Sequence, residues 1–296
     1  MQSSDDLLTR LKGRPAFPFE TIAVAISFSP RLEALLTEAK RIADTLHSSL
    51  LLIHVGEKTK DKEIRLEKLM QKLEMDERKY RIQWMDGNPV ETILKLCKLN
   101  VVDLLILGAL SKENLLKYYV GSVARKISRK AKCSVLLLTN LEPDPRKSKR
   151  FVVNVEESAK SPHTVNTALY LAKRFNVGEI TIVKETHIPG LAMTMAEDST
   201  APEAMKMKRE LAGEEEEELN SILDKCDKDD IKINERYIKG KPGFAIRSFA
   251  QSKKADLLIV NSPDKQMRLI DRIFTHDLEY ILEDLPCNVL IVHSRV

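Results

Sequence analysis

The chain contains the same sequence pattern twice, and this repeat constrains its fold more than any other feature. Gly87 and Gly240 are 153 residues apart, and so are Asp103 and Asp256. A cysteine near the end of each pattern follows the same order, with a spacing of 154 residues. Such a repeat predicts one fold used twice. It also supplies an internal control, because chemistry that the fold supports should occur in both copies or be visibly lost from one.

Length and composition indicate a globular protein of two domains. The 296 residues allow about two domains of roughly 150 residues each. The net charge of +4 argues against a nucleic-acid partner, which usually requires a concentrated basic face. No apolar run approaches the roughly 18–20 residues of a membrane span, so no membrane partner is expected. The four cysteines lack CxxC spacing, which favours reduced thiols, a cytoplasmic location and no metal site.

Apolar runs alternate with segments of helical periodicity in both copies. TIAVAIS (21–27) predicts the first strand, Ser29-Pro30 the start of the first helix, and SVLLL (134–138) the fifth strand. The second copy repeats this order from FVVNV (151–155) to NVLIV (288–292). Continuous apolar runs are typical of parallel strands that are covered on both faces. We therefore predict an α/β fold with two doubly wound, five-stranded, mainly parallel, Rossmann-like sheets and four helices in each copy.

The same pattern predicts the domain boundaries. Residues 1–18 form an N-terminal tail, 19–140 the first domain, 141–149 a proline-containing charged linker, and 150–296 the second domain. The second domain carries a Met-rich insert at about 185–202. A loop of this length is either a mobile connection or a lid or partner-binding segment.

The segment from Gly108 to Ser122 is the strongest candidate for a binding site. It lies between a predicted buried strand and a predicted helix, at the carboxyl end of the sheet, where doubly wound folds bind ligands. Gly121 allows close approach of the backbone, and Ser122 offers a hydroxyl group at a helix N-terminus. The unpaired N–H groups of such a terminus favour an anion such as phosphate.

With these motifs, the chain resembles the universal stress protein family. The first copy has the spacing of that family's phosphate loop, in which Gly108, two residues, Ser111 and nine residues precede Gly121-Ser122. His54-Val55 matches the HV that ends the second strand in the family, and Gly87-Asn-Pro89 matches its G-x-P. The resemblance covers about 20–294. It implies an adenine nucleotide alpha hydrolase-like fold.

The family includes members that bind ATP, so the resemblance also implies site residues for the first copy. Ser27 stands where ATP-binding members have an adenine-binding Asp, Val55 would lie against the adenine, and Lys112 is near the phosphate loop. Ser111 replaces a loop glycine, which would be costly if positive φ were needed there. The candidate nucleotide-binding residues, for ATP with Mg²⁺, are Ser27, Val55, Gly108, Ser111, Lys112, Gly121 and Ser122.

The second copy retains less of this motif. Glu156 stands at the position of the family's Asp, and Thr275-His276 align with Gly121-Ser122. No glycine remains in its loop, and Asp264 adds negative charge where phosphates would bind. A structural role in pairing the two halves is the better interpretation of this copy.

Three functions remain open from the sequence. The first is a non-catalytic stress-response or signalling module in which nucleotide bound to the first copy tunes an unidentified protein partner. The second is an interaction scaffold that binds no nucleotide. The third is a slow ATPase, although no general base is visible beside Ser122. The resemblance further implies that the last strands of the copies pair within the chain as a pseudo-dimer; whether a homodimer forms in addition is left open.

Overall fold

The structure is a computed structural model that describes most of both copies. The described residues are 17–111, 118–139, 141, 148–156, 158–186, 213, 216–217, 219–226, 228, 230–263 and 277–294. Most of the predicted N-terminal tail, most of the predicted linker and nearly all of the 185–202 insert lie outside them.

In the first copy strands and helices alternate as the apolar pattern predicts. Its elements are β1 (Thr21–Ile26), α1 (Leu32–Leu46), β2 (Ser49–Val55), α2 (Lys60–Lys72), β3 (Tyr80–Met85), α3 (Pro89–Leu99), β4 (Leu104–Gly108), β5 (Leu110–Ser111), β6 (Tyr118–Tyr119), α4 (Ser122–Lys130) and β7 (Ser134–Leu138). Strands β5 and β6 form a small antiparallel ribbon of their own, which the sequence analysis did not predict. The prediction started the first helix at Ser29-Pro30. Pro30 belongs to a turn instead, and helix α1 begins two residues later.

The second copy repeats this order in its described residues. Its elements are β8 (Phe151–Val155), α5 (Ser161–Arg174), β9 (Glu179–Thr186), β10 (Lys232–Lys239), α6 (Phe244–Ser252), β11 (Leu257–Asn261), α7 (Asp277–Glu283) and β12 (Asn288–Val292). Residues 219–223 are also helical. Strand β9 continues to Thr186, so the first two residues of the predicted insert belong to the sheet.

The two five-stranded sheets join into one ten-stranded sheet. The strand order is β10-β9-β8-β11-β12-β7-β4-β1-β2-β3. Within this sheet the strands of each copy pair in parallel, whereas β12 and β7 pair antiparallel, with Leu290 opposite Leu136. This confirms the prediction that the last strands of the copies pair as an intramolecular pseudo-dimer. Each strand thereby covers an edge that would otherwise expose unpaired backbone groups.

The core consists of two apolar layers, one on each face of the sheet. Side chains of α1, α2 and α5 fill one layer, and side chains of α3, α4, α6 and α7 fill the other. Both layers cross the seam between the copies, since Leu136 and Leu290 share one layer and Val135 and Val289 share the other. The pseudo-dimer therefore has a continuous core rather than two separate ones.

The aspartate of the repeat has the same structural role in both copies. The Asp103 carboxylate accepts hydrogen bonds from the N–H groups of Glu20 and Thr21, at 3.0 and 2.9 Å. The Asp256 carboxylate accepts from the N–H groups that precede β8, at 2.8 and 2.9 Å. Each Asp thus fixes the chain entering the central strand of its copy, at the sheet edge opposite the predicted ligand site.

Candidate functional site in the first copy

The candidate site lies at the carboxyl edge of the sheet between β1 and β4. From β1 the chain leads to β2 on one side, whereas β4 and β7 lie on the other side. The loops that follow β1 and β4 therefore diverge over opposite faces and leave a crevice between them. In open α/β sheets this switch point is the usual place for a ligand.

The sequence-predicted residues that the structure describes lie along this edge. Exposed Ser27 directly follows β1, half-buried Val55 ends β2, and half-buried Gly108 ends β4. Gly121 precedes α4, whose first residue is exposed Ser122. Ser111 belongs to strand β5, where the extended backbone has negative φ, so the expected cost of replacing a glycine there does not arise. Lys112 lies outside the described residues.

The start of α4 has the features of an anion-binding helix terminus. Gly121 is the N-cap of α4, so no side chain accepts a hydrogen bond from the first turn. That turn contains no acidic residue. The φ of Gly121 is −61°, so glycine is not needed at this position for a left-handed backbone conformation. A Cβ at this position would lie 3.1 Å from Cδ1 of Leu110. Glycine therefore keeps the first turn of α4 open between Leu110 and solvent.

Arg31 is a residue of this site that the sequence analysis missed. One arm of its guanidinium donates to the Ala109 carbonyl, and the other donates to the Thr139 carbonyl at 2.6 Å. The guanidinium also lies 6.0 Å from the centre of the Tyr118 ring. Arg31 therefore places a positive charge across the crevice and ties the loop after β1 to the loops after β4 and β7. The signal in the sequence was a cation five residues after the first strand.

Three aromatic rings pack together on the α1 and α2 side of the sheet. Phe28 stacks on Trp84 at 5.7 Å, and His54 meets both rings edge-on at 5.0 and 4.9 Å. Nδ1 of His54 lies 3.1 Å from the Ile26 carbonyl oxygen, while its Nε2 is buried with no hydrogen-bond partner among the described residues. The His of the HV motif thus packs into the structure, and Val55 lies on the opposite face.

Second copy and the seam

The equivalent crevice of the second copy is filled by its own side chains. Strand register places Asn261 at the position of Gly108. Asn261 is 6% exposed, and its amide hydrogen-bonds the hydroxyl groups of Thr164 and Ser161, the latter at 3.1 Å. An amide side chain held by α5 therefore occupies this position in the second copy, whereas in the first copy a Cβ at Gly108 would meet Leu141 at 3.7 Å and Leu35 at 4.0 Å.

A carboxylate occupies the position that corresponds to Val55. Register aligns Val55 with Glu185, which accepts hydrogen bonds from the N–H groups of Gly243 at 3.1 Å and Ile246 at 2.8 Å. Glu185 thereby caps α6. In the first copy Asn88 caps the equivalent helix α3 with its own side chain, so no carboxylate has to enter that crevice.

The remaining second-copy predictions have different outcomes. Glu156 is exposed after β8, where the sequence alignment placed it. Lys160, at the position of Arg31, also donates to carbonyls after the fourth strand, those of Ser262 and Pro263 at 2.9 and 3.1 Å. Thr275-His276 and Asp264 lie outside the described residues.

The loop of the candidate site is bound directly to the second copy. The Val120 N–H donates to the Leu282 carbonyl at 3.2 Å, and the Leu285 N–H donates to the Tyr118 carbonyl at 3.0 Å. Next to these bonds, the buried carboxylate of Glu279 pairs with Arg125 and Arg129 of α4, at 3.3 and 2.6 Å. The β5–β6 ribbon and helix α4 of the first copy are therefore bound to α7 of the second copy. The sequence analysis did not predict this contact.

Comparison with known proteins identifies the family of this chain. The sequence profile of the universal stress protein family matches residues 18–139 and again 147–293. The chain belongs to the universal stress protein family. It is a tandem member, as the repeat and the phosphate-loop spacing predicted.

Solved structures agree with this fold. A protein of unknown function from Pseudomonas aeruginosa PAO1 is 16% identical, with 93% of this chain and 92% of that chain covered and a TM-score of 0.71. A universal stress protein from Archaeoglobus fulgidus DSM 4304 is 13% identical, with 94% and 100% covered and a TM-score of 0.62. The comparison with curated proteins gave no match.

None of the helices in the described ranges has the length and apolar character needed to cross a bilayer. Within those same ranges, no group of three or more His, Cys, Asp or Glu side chains is placed to hold a metal ion.

Proposed function

We propose that this protein is a stress-response module of the cytoplasm in which only the first copy binds an adenine nucleotide. The observation that supports this most is the contrast between the two crevices. The first copy has Gly108 and Val55 where the second has Asn261 and Glu185, and both of these polar side chains are bound to their own copy. A nucleotide would have to displace those bonds in the second copy but not in the first.

Each part of the nucleotide has a candidate partner in the first copy. The apolar Val55 side chain would contact the adenine, and the Ser27 hydroxyl would replace the family's aspartate as its hydrogen-bonding group. The first turn of α4, with Gly121 and Ser122, would receive the phosphates through its N–H groups and the Ser122 hydroxyl. Lys112 belongs to the same loop, and Mg²⁺ would accompany the phosphates.

The seam supports a signalling role for such binding. Tyr118 and Val120 belong to the candidate phosphate loop, and their backbone groups bond to the end of α7 in the second copy. Nucleotide that shifts Tyr118 and Val120 would therefore act on α7 directly. Catalysis is not part of the proposal, since no histidine or carboxylate among the described residues hydrogen-bonds Ser122.

A specific observation also favours the alternative, an interaction scaffold that binds no nucleotide. The guanidinium of Arg31 already spans the first crevice and bonds to Ala109 and Thr139. The equivalent Lys160 does the same in the copy whose crevice is filled. If the cation serves only to close the crevice, the fold is complete without a ligand.

Thermal unfolding with and without Mg-ATP separates these two functions. At a nucleotide concentration of about 100 times the Kd, binding to the native state adds about 2.7 kcal/mol of stability, which corresponds to a rise in Tm of several degrees. Gly121→Val should remove the rise, because a branched side chain would enter the space between Leu110 and the first turn of α4. Gly178→Val is the matched control, since a Cβ at Gly178 meets no atom within 4 Å.

The outcomes are distinct. If millimolar Mg-ATP leaves the Tm of the native sequence unchanged, the nucleotide proposal is wrong and the scaffold remains. If Gly121→Val keeps the full rise, the nucleotide binds elsewhere. Turnover of ATP at ordinary enzyme rates would contradict the non-catalytic proposal.

A further inference from the structure

A pocket of about 320 Å³ lies in the first copy between α3 and α4, near the amino ends of β4 and β7. This edge of the sheet is opposite the candidate nucleotide site. Ligand pockets generally start at about 300 Å³, so the volume suits a small molecule. No residue that lines it belongs to the site described above.

The pocket has an apolar floor that includes two thiols. Leu94 and Val102 line it together with Cys97 and Cys133, which are 6% and 4% exposed. The thiols of Cys97 and Cys133 hydrogen-bond each other, and this contact together with burial raises the pKa of Cys97 well above its usual range. The Cys97 thiol therefore stays protonated at neutral pH, and the two buried sulfur atoms supply apolar, polarisable surface to the pocket.

Four lysines line the same pocket, and no acidic residue does. They are Lys95, Lys98, Lys130 and Lys132. Helices α3 and α4 both end beside the pocket, and each helix C-terminus contributes only about half a negative charge. The charges of Lys95 and Lys130 alone exceed the roughly one negative charge of the two helix ends, so the rim stays positive.

The second copy shows that the fold does not require this pocket. At the position of Leu94 it has Arg247, at the position of Lys130 it has Asp284, and at the position of Cys97 it has Ala250. Arg247 and Asp284 form an ion pair at 3.8 Å, with 18% and 27% of their side chains exposed. The second copy thus replaces the lysine rim with an internal ion pair.

We propose that this pocket binds a small organic anion with an apolar body, such as a medium-chain carboxylate. The hydrocarbon would lie on Leu94, Val102 and the two thiols, and the carboxylate would lie among the lysines. Neither the carboxylate nor the hydrocarbon suffices by itself, because exposed ion pairs are weak and a purely apolar ligand would make no contact with the lysine charges.

Isothermal titration calorimetry with sodium octanoate tests this proposal. Octanoate should bind at one site per chain, whereas acetate, which lacks the apolar body, and hexanol, which lacks the charge, should each bind at least about tenfold more weakly. Lys95→Glu combined with Lys130→Glu should weaken octanoate binding by at least about fivefold. Lys60→Glu combined with Lys68→Glu, exposed on α2, makes the same change in net charge and should leave binding unaltered.

A second variant tests the pocket by closing it. Leu94→Arg with Lys130→Asp introduces the ion pair of the second copy and should abolish octanoate binding, while circular dichroism confirms that the variant is folded. Octanoate that fails to bind the native sequence, or that binds this closed variant equally well, overturns the proposal. If the α2 control variant lost the same affinity for octanoate, the change in net charge alone would explain the loss, and the proposal would be overturned as well.

Discussion

Asp103 and Asp256 allow one interaction to be tested at two levels of burial in the same molecule. Both carboxylates accept two backbone N–H groups, but Asp103 is 2% exposed, whereas 31% of the Asp256 side chain is exposed. A hydrogen bond to a charged group contributes about 1.5–3 kcal/mol when it is buried and less where water can replace it. For Asp103→Ala, the two bonds at 3.0 and 2.9 Å together predict a loss of about 3–6 kcal/mol in the free energy of unfolding.

The same substitution at Asp256 should cost about 1–2 kcal/mol, because water can reach the N–H groups that it leaves. Guanidinium chloride unfolding followed by circular dichroism measures both values. Asp103→Asn keeps an oxygen acceptor and loses the charge, so its cost should fall between that of Asp103→Ala and zero. If Asp256→Ala destabilises the protein as much as Asp103→Ala, burial does not set the strength of this interaction and the reasoning is refuted.

Two other predictions concern the seam and the thiols. Glu279→Gln should lower the free energy of unfolding by about 1–3 kcal/mol, because it removes the buried negative charge that pairs with two partly exposed arginines. Glu283 is exposed on the same helix, so the control Glu283→Gln should change the free energy of unfolding by less than about 0.5 kcal/mol. Burial raises the pKa of Cys287 to about 12 and that of Cys226 to about 11. Because the folded-state pKa values lie above the unfolded value of about 8.5, the stability that these thiols contribute is fully present below pH 8.5 and is lost as pH rises toward 11–12. Unfolding measured from pH 8 to 11 should show this decline, and a smaller decline in Cys287→Ala; an equal decline would contradict the assignment.

Much of the fold could be predicted from the sequence because the signals for it are local. The bounds of β7, β8 and β12 agree with the sequence prediction to the residue, since short apolar runs mark buried strands. The pairing of β7 with β12 followed from the resemblance to the family, and it covers two apolar edges. The ribbon β5–β6 did not follow, since two-residue strands carry no periodicity.

The candidate site could be predicted only in part. Spacing and resemblance located Gly108, Gly121 and Ser122, because a loop motif is contiguous in sequence. Arg31 was missed, since its partner Thr139 is 108 residues away and only the convergence of strand ends brings them together. The same applies to Asn261, whose side chain reaches helix α5 about 100 residues earlier.

The sequence by itself therefore determined the tandem fold and the family, and it predicted a phosphate loop that is partly retained in the first copy and eroded in the second. Only the tertiary structure decided how the second crevice is closed, because Glu185 becomes a helix cap only when β9 places its carboxylate at the start of α6. It also decided that the loop of the first copy is bound to α7 of the second. Those contacts depend on where parallel strands end in space, and hydrophobic periodicity along the chain carries no record of that position.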